Sequence, residues 1–263
     1  MVTNEATVMT VISALEIACW DILGTARNRP VHALLGGKIN DRIRSYTYLY
    51  PQPGEDASEF WVNADMTAEA AARYVDMGFT AVKFDPAGPY TIRGGHEPAM
   101  SDITRSVAFC KAIREAVGDR ADLLFGTHGQ FTTPGAIRMG RELEPYNPLW
   151  YEEPIPPDNL LEFAEVAKSV RVPLATGERL TTKYEFQRVL LEGAASILQM
   201  NVARVGGLLE AKKIAGMAET FYAQIAPHLY NGPVGAAASI QLSAATPNFL
   251  IHEAIIDFGG FHG

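Results

Sequence analysis

Cysteine is scarce: Cys19 and Cys110 are the only two in 263 residues, and no CxxC pair occurs. That excludes a disulfide-stapled scaffold and a cysteine-rich zinc site, and the expectation is reduced, buried thiols in a cytoplasmic protein. Positive charge is also short. Lys and Arg number 22 against 30 Asp and Glu, a net charge of -8, with no basic stripe to meet a phosphate backbone. No nucleic-acid partner is expected. Long apolar runs are missing, so no membrane-crossing segment is expected, and Met1 to Thr10 lacks the basic stretch and apolar core of a secretory signal. No GxGxxG follows an apolar run and no P-loop is present, which argues against dinucleotide and nucleotide folds.

What the chain does contain is a globular balance, 48% hydrophobic and 20% charged. Its first clear element is helical: Val11–Thr25 puts Ile12, Leu15, Ile17, Ala18, Trp20 and Leu23 mainly on one broad face. Gly36-Gly37 ends the segment that follows. Eight short apolar runs come next: Ile43–Tyr48, Ala81–Phe84, Leu123–Phe125, Leu149–Tyr151, Leu174–Ala175, Ile197–Met200, Gln224–Ala226 and Phe249–Ile251. Helix-compatible stretches separate most of them, among them Ala68–Met77, Ser101–Val117 and Leu208–Phe221. Strands alternating with helices imply parallel strands joined by right-handed crossovers, and eight of them close naturally into an α/β barrel of the TIM type. The linker Pro86–Ser101, with Gly94-Gly95 inside it, is long enough for a lid.

In such a barrel the chemistry gathers at the carboxyl ends of the strands. The residues there are Lys83 and Asp85, His128, Glu152 and Glu153, Glu178 and Arg179, Asn201, His228 and Glu253. One polar residue at a strand end means little, whereas seven successive strands carrying one point to a site. Two glutamates on neighbouring strands, Glu152 and Glu178, supply hard oxygen ligands suited to Mg²⁺. A metal-bound carboxylate substrate has a more acidic α-proton, which a histidine or lysine can remove.

At these residues the sequence resembles the mandelate racemase branch of the enolase superfamily, especially its galactonate-dehydratase-like members. The matching stretches include Tyr151-Glu152-Glu153-Pro154, Ala175-Thr176-Gly177-Glu178-Arg179, Ser196–Gln199 leading to Gly206-Gly207, Ala226-Pro227-His228 and Ala244–Phe249. Upstream, Ile12–Asp21 and Leu34–Gly37 resemble the junction between capping domain and barrel. The resemblance implies a modified (β/α)7β TIM barrel over 41–263, preceded by junction helices over 1–40, with the capping domain largely absent. It also implies Mg²⁺, with Glu152 and Glu178 as metal ligands. His128 is then the acid, His228 the base, and Glu253 a contact to the substrate carboxylate. Asp85, Arg179 and Asn201 are the candidate substrate-binding residues.

Three positions depart from the family pattern. Gly126 stands where an aspartate ligand belongs, Asn201 where an aspartate partners the histidine base, and Asp85 where a second lysine follows Lys83. Asp85 has two readings, a stand-in ligand or a cap on the turn before Pro86. Lys83 has two as well, a proton-transfer group or an ion-pair partner of Asp85 or a neighbouring carboxylate. His128 reads as acid or as replacement ligand.

The expected activity is Mg²⁺-dependent dehydration of a sugar acid to a 2-keto-3-deoxy acid by a cytoplasmic homo-oligomer acting on a small carboxylate. Racemisation or cycloisomerisation on the same barrel is the first alternative. A catalytically weak barrel kept as an assembly module is the second.

Overall fold

The computed structural model describes residues 6–87 and 95–254, so the central part of the candidate lid, 88–94, lies outside the described residues. In chain order the elements are α1 (Ala6–Arg27), α2 (Val31–Leu34), β1 (Ser45–Tyr48), α3 (Ala57–Phe60), α4 (Ala64–Asp76) and β2 (Ala81–Phe84). Then come α5 (Met100–Val117), β3 (Asp122–Gly126), α6 (Thr133–Leu143), β4 (Trp150–Glu152), α7 (Leu160–Ser169) and β5 (Leu174–Thr176). The last are α8 (Lys183–Glu192), β6 (Ile197–Leu198), α9 (Leu208–Glu219), β7 (Gln224–Ile225), α10 (Pro233–Ala244) and β8 (His252–Glu253). The strands follow the hydrogen-bonded order β7-β6-β5-β4-β3-β2-β1-β8. Seven apolar runs became strands with ends shifted by a residue or two. The eighth did not: Phe249 makes only an isolated bridge to Ile225, and the strand is His252–Glu253.

Two compact units divide the described residues. The second unit, Ser45–Ala175 with Ala254, carries β1 to β4 and the first part of β5. Its parallel register pairs Lys83 with Leu124, Phe84 with Phe125, Gly126 with Glu152 and Glu152 with Ala175. β2 and β4 are buried along their whole length, as strands of a parallel sheet covered on both faces are. Edge-to-face ring contacts run across them, Phe84 to Phe125 at 5.8 Å and Phe125 to Tyr151 at 5.8 Å. The helices start where side chains satisfy their first N–H groups. Asn63 accepts from Asp65 N and Met66 N at the head of α4, and Thr132 accepts from Gly135 N at the head of α6.

The first unit holds the described residues up to Arg44 and Thr176–Glu253. Here Gln199 N donates to Thr176 O, and β6 pairs with β7 at Ile197–Gln224 and Leu198–Ile225. α8 begins with a reciprocal capping box between Thr182 and Glu185. α1 buries only Ser13, Ile17 and Gly24, a single stripe, so Cys19 is exposed and not buried as expected. By length and composition α1 could cross a bilayer, with 22 residues and a mean hydropathy of 1.6 in its most apolar window. This corrects the expectation of no such segment. Glu16 and Asp21 interrupt its apolar residues, so only the average reveals it. Glu16 has a defined partner within the unit: its carboxylate accepts from Leu208 N at 2.7 Å and Leu209 N at 2.9 Å, at the positive end of α9. Gly207, with φ 92°, lies against that carboxylate and leaves no room for a Cβ.

His252 on β8 is buried, with Nε2 2.9 Å from Ser239 Oγ. Burial pushes its pKa down to about 4. The folded value lies below the ordinary 6.5, so its contribution to stability is complete above pH 6.5 and is lost as pH falls through about 4. A loss of about 3 kcal/mol across that window is expected from the shift, and His252→Gln should flatten it in pH-dependent urea unfolding. Glu16→Ala should cost about 1–2 kcal/mol by removing the cap on α9. Asp21→Ala, on the exposed face of α1, should change the same unfolding midpoint by less than about 0.5 kcal/mol.

Candidate active site

In the second unit the functional side chains are set by strand register. Lys83, on β2, reaches Glu152, on β4, with Nζ 2.5 Å from Oε1, and both side chains are almost wholly buried. The other carboxylate oxygen, Oε2, accepts from Trp150 Nε1 at 3.0 Å. Trp150 and Glu152 are two residues apart on one strand, so they share a face. Lys83 Nζ also lies 5.3 Å from the Tyr48 ring centre and 6.0 Å from that of Tyr46. Gly126 is the register partner of Glu152. A Cβ there would stand 3.3 Å from Lys83 Cε and 3.3 Å from Tyr48 Oη.

The turn after β3 is held by Thr127, whose hydroxyl lies 2.8 Å from Glu152 O and 2.7 Å from Glu153 O. His128 follows in the left-handed region at φ 51°, a conformation unusual for a residue with a Cβ. Its Nδ1 sits 3.0 Å from Asp85 Oδ2. The Asp85 side chain is buried, while the imidazole is about a third exposed. The Asp85 carboxylate faces His128 and orients its ring.

In the first unit Gly177, at φ 144°, packs against the Gln199 backbone so closely that no side chain fits. The chain then turns to Glu178, which is largely buried, and to Arg179, which is exposed. Glu178 Oε2 stands 3.5 Å from His228 Nε2, and Glu253 Oε2 stands 3.8 Å from the same nitrogen. Glu253 Oε2 also accepts from Leu229 N at 2.7 Å.

The other ring nitrogen decides the proton distribution. Asn201 Nδ2 lies 2.9 Å from His228 Nδ1. The amide cannot be turned round, because Asn201 Oδ1 accepts from the backbone N–H of Ala203 at 2.9 Å and from Asn231 Nδ2 at 2.9 Å. Asn201 therefore donates, His228 Nδ1 accepts, and in the neutral ring the hydrogen sits on Nε2, toward the two carboxylates. An aspartate at this position would impose the opposite tautomer.

Residues 65–260 match the model of the enolase C-terminal domain-like family. The chain belongs to that family. It is similar, with 64% identity and a TM-score of 0.95, to the crystal structure of a mandelate racemase/muconate lactonizing enzyme-like protein from Roseovarius sp. TM1035, covering 97% of this chain and 64% of that one. A mandelate racemase/muconate lactonizing enzyme from Jannaschia sp. CCS1 is 60% identical with a TM-score of 0.94, covering 97% of this chain and 66% of that one. Among characterised relatives, the D-gluconate/D-galactonate dehydratase of Picrophilus torridus is 36% identical over 94% of this chain, and the D-xylonate dehydratase of Haloferax volcanii is 38% identical over 94%. The chain spans 60% and 59% of the length of those two relatives. As in the rest of the enolase family, the fold class is α/β with a parallel eight-stranded sheet of TIM-barrel type.

Enzymes of this branch generally use Mg²⁺. The donor set here does not fit such an ion. Among the described residues no group of three or more His, Cys, Asp or Glu is arranged to hold a metal, Gly126 offers no ligand, and both oxygens of Glu152 already accept from Lys83 and Trp150.

Sequence reasoning singled out Lys83, Asp85, His128, Glu152, Glu178, Asn201, His228 and Glu253, and each unit draws its share of them together. It missed Trp150, Tyr48 and Asn231. Trp150, two places before Glu152 on the same strand, was readable from the period of a strand; Asn231 lies in a loop and gives no such signal. In ¹⁵N NMR spectra neutral His228 should show the Nε2–H tautomer, and Asn201→Asp should convert it to Nδ1–H. An Nδ1–H signal in the unaltered protein would contradict the amide orientation.

Proposed function

We propose that this protein is a sugar-acid dehydratase, a lyase that removes water from an aldonic acid. The observation that carries the reading is the pair of histidines, each fixed through Nδ1 by a partner of opposite hydrogen-bonding character. The printed activities of the relatives, on gluconate, galactonate and xylonate, support the substrate class. Elimination needs one group to take the proton beside the carboxylate and one to give a proton to the departing β-hydroxyl. Electrons from the broken C–H bond form the double bond, the C–O bond breaks, water leaves, and the enol tautomerises to a 2-keto-3-deoxy acid.

His128 and His228 take roles different from those the resemblance implies. Asp85 accepts the Nδ1 hydrogen of His128, which leaves a lone pair on Nε2 and makes His128 the base; the imidazolium so formed, balanced by Asp85, then gives that proton to the departing hydroxyl. Asn201 donates to Nδ1 of His228, which leaves Nε2–H as a hydrogen-bond donor for an oxygen of the substrate. Glu253, fixed by Leu229 N–H, and Arg179 are substrate contacts, the latter a cation for the carboxylate. Asp85 and Asn201 act as positioning residues. A homo-oligomeric cytoplasmic enzyme acting on a small carboxylate remains part of this proposal, as does the division into junction helices over 1–40 and barrel over 41–263.

Racemisation on the same barrel is the alternative reading, and product analysis separates the two. Incubation with aldonic acids in D₂O should yield a semicarbazide-reactive keto acid. Deuterium entering recovered substrate with no keto acid would favour racemisation instead. His128→Asn should lower kcat by about 10²–10⁴. Asn201→Asp should lower kcat as well, with an altered pH profile, because it withdraws the hydrogen from Nε2 of neutral His228. Full activity in both variants would sink the role assignment.

A further inference from the structure

We propose that the Lys83 ammonium is a built-in replacement for a divalent cation at Glu152, so that this carboxylate is held in charge balance without metal. The inference concerns binding and stability and stands apart from the dehydratase reading.

A carboxylate shut away from water requires an opposite charge beside it. Lys83 supplies that charge to Glu152 at 2.5 Å, with the two side chains 1% and 2% exposed. The second oxygen is engaged by Trp150 Nε1. A Mg²⁺ ion binds oxygens at about 2.0–2.1 Å and demands near-octahedral surroundings, so it would have to displace the ammonium to reach Glu152. The lysine is not placed to swing aside, since Tyr46 and Tyr48 wall it and almost none of it reaches solvent.

The space the lysine fills is the space a side chain at 126 would need. In parallel strands register partners project to the same side, so a side chain at 126 would point with that of Glu152. Its Cβ would press on Lys83 Cε and Tyr48 Oη at 3.3 Å and come within 3.8 Å of Asp85 Cβ. A carboxylate at 126 and this placement of Lys83 therefore compete for one volume. The glycine and the buried ion pair are two parts of one arrangement: the ligand position is empty of side chain so that an organic cation can sit where it would crowd. The exchange replaces a divalent, removable ion by a single, covalently tethered charge that needs no metal supply.

The test uses Mn²⁺ as the probe by electron paramagnetic resonance, with Mg²⁺ in thermal unfolding, on the full chain. No Mn²⁺ site that depends on Glu152 should appear at millimolar metal, and neither Mg²⁺ nor EDTA should move Tm. Lys83→Met should lower Tm and make it rise again with added Mg²⁺, because the uncompensated carboxylate now accepts the ion. Lys83→Met/Glu152→Gln should regain much of the lost Tm and ignore Mg²⁺. Saturable Mn²⁺ binding by the unaltered chain that disappears in Glu152→Gln would overturn the proposal, as would a Lys83→Met protein as stable as its parent. Should Lys83→Met fail to fold, the Mn²⁺ titrations of the unaltered chain and of Glu152→Gln still decide.

Discussion

A carboxylate taken out of water must find its counter-charge and its hydrogen bonds within a few ångströms, and much of this site follows from that constraint. Glu152 is placed at the end of a wholly buried strand, where solvation is lost. Leaving such a charge unpaired costs on the order of 3–5 kcal/mol, comparable to a substantial part of a domain's net stability. Lys83, Trp150 and the open space at Gly126 form the local solution. The same demand shapes the other unit, where Glu253 is satisfied by a backbone N–H and Glu178 faces an imidazole.

The two histidines show how much chemistry a single partner atom controls. His128 and His228 are the same side chain at the ends of similar strands. One meets a carboxylate at Nδ1 and the other an amide nitrogen. A carboxylate can only accept and a fixed amide nitrogen can only donate, so the lone pair and the hydrogen end up on opposite nitrogens. The Ala203 backbone N–H, together with the Asn231 side chain, prevents the amide from flipping. A position that looks like a mild change, aspartate to asparagine, thereby reverses a ring.

Family membership and this local chemistry bear on different questions. The match over residues 65–260 and the structural likeness set the fold class and bring a branch whose named members include sugar-acid dehydratases. The departures at Gly126, Asp85 and Asn201 are mutually consistent within each unit, since each altered residue is matched by a partner that completes its hydrogen bonds or its charge. That pattern is of strand ends rebuilt around different groups, with both histidines retained.

Much of the fold was legible in the sequence because apolar runs and helix-period stretches obey local rules. Seven of the eight strands fell on such runs, and Glu152, Glu178, His128 and His228 followed from their place at the strand ends. The eighth strand was not legible, since Phe249–Ile251 is the more apolar stretch while the strand is His252–Glu253. The exposed setting of Cys19 and the bilayer-length character of α1 were also hidden, because burial depends on which stripe of a helix packs. Sequence alone named the ionisable residues and the order of the elements. Only the tertiary structure decided that Lys83 belongs to Glu152, that Asp85 belongs to His128, and that Asn201 turns its nitrogen toward His228. Those choices rest on distances between residues far apart in the chain, and no local pattern encodes them.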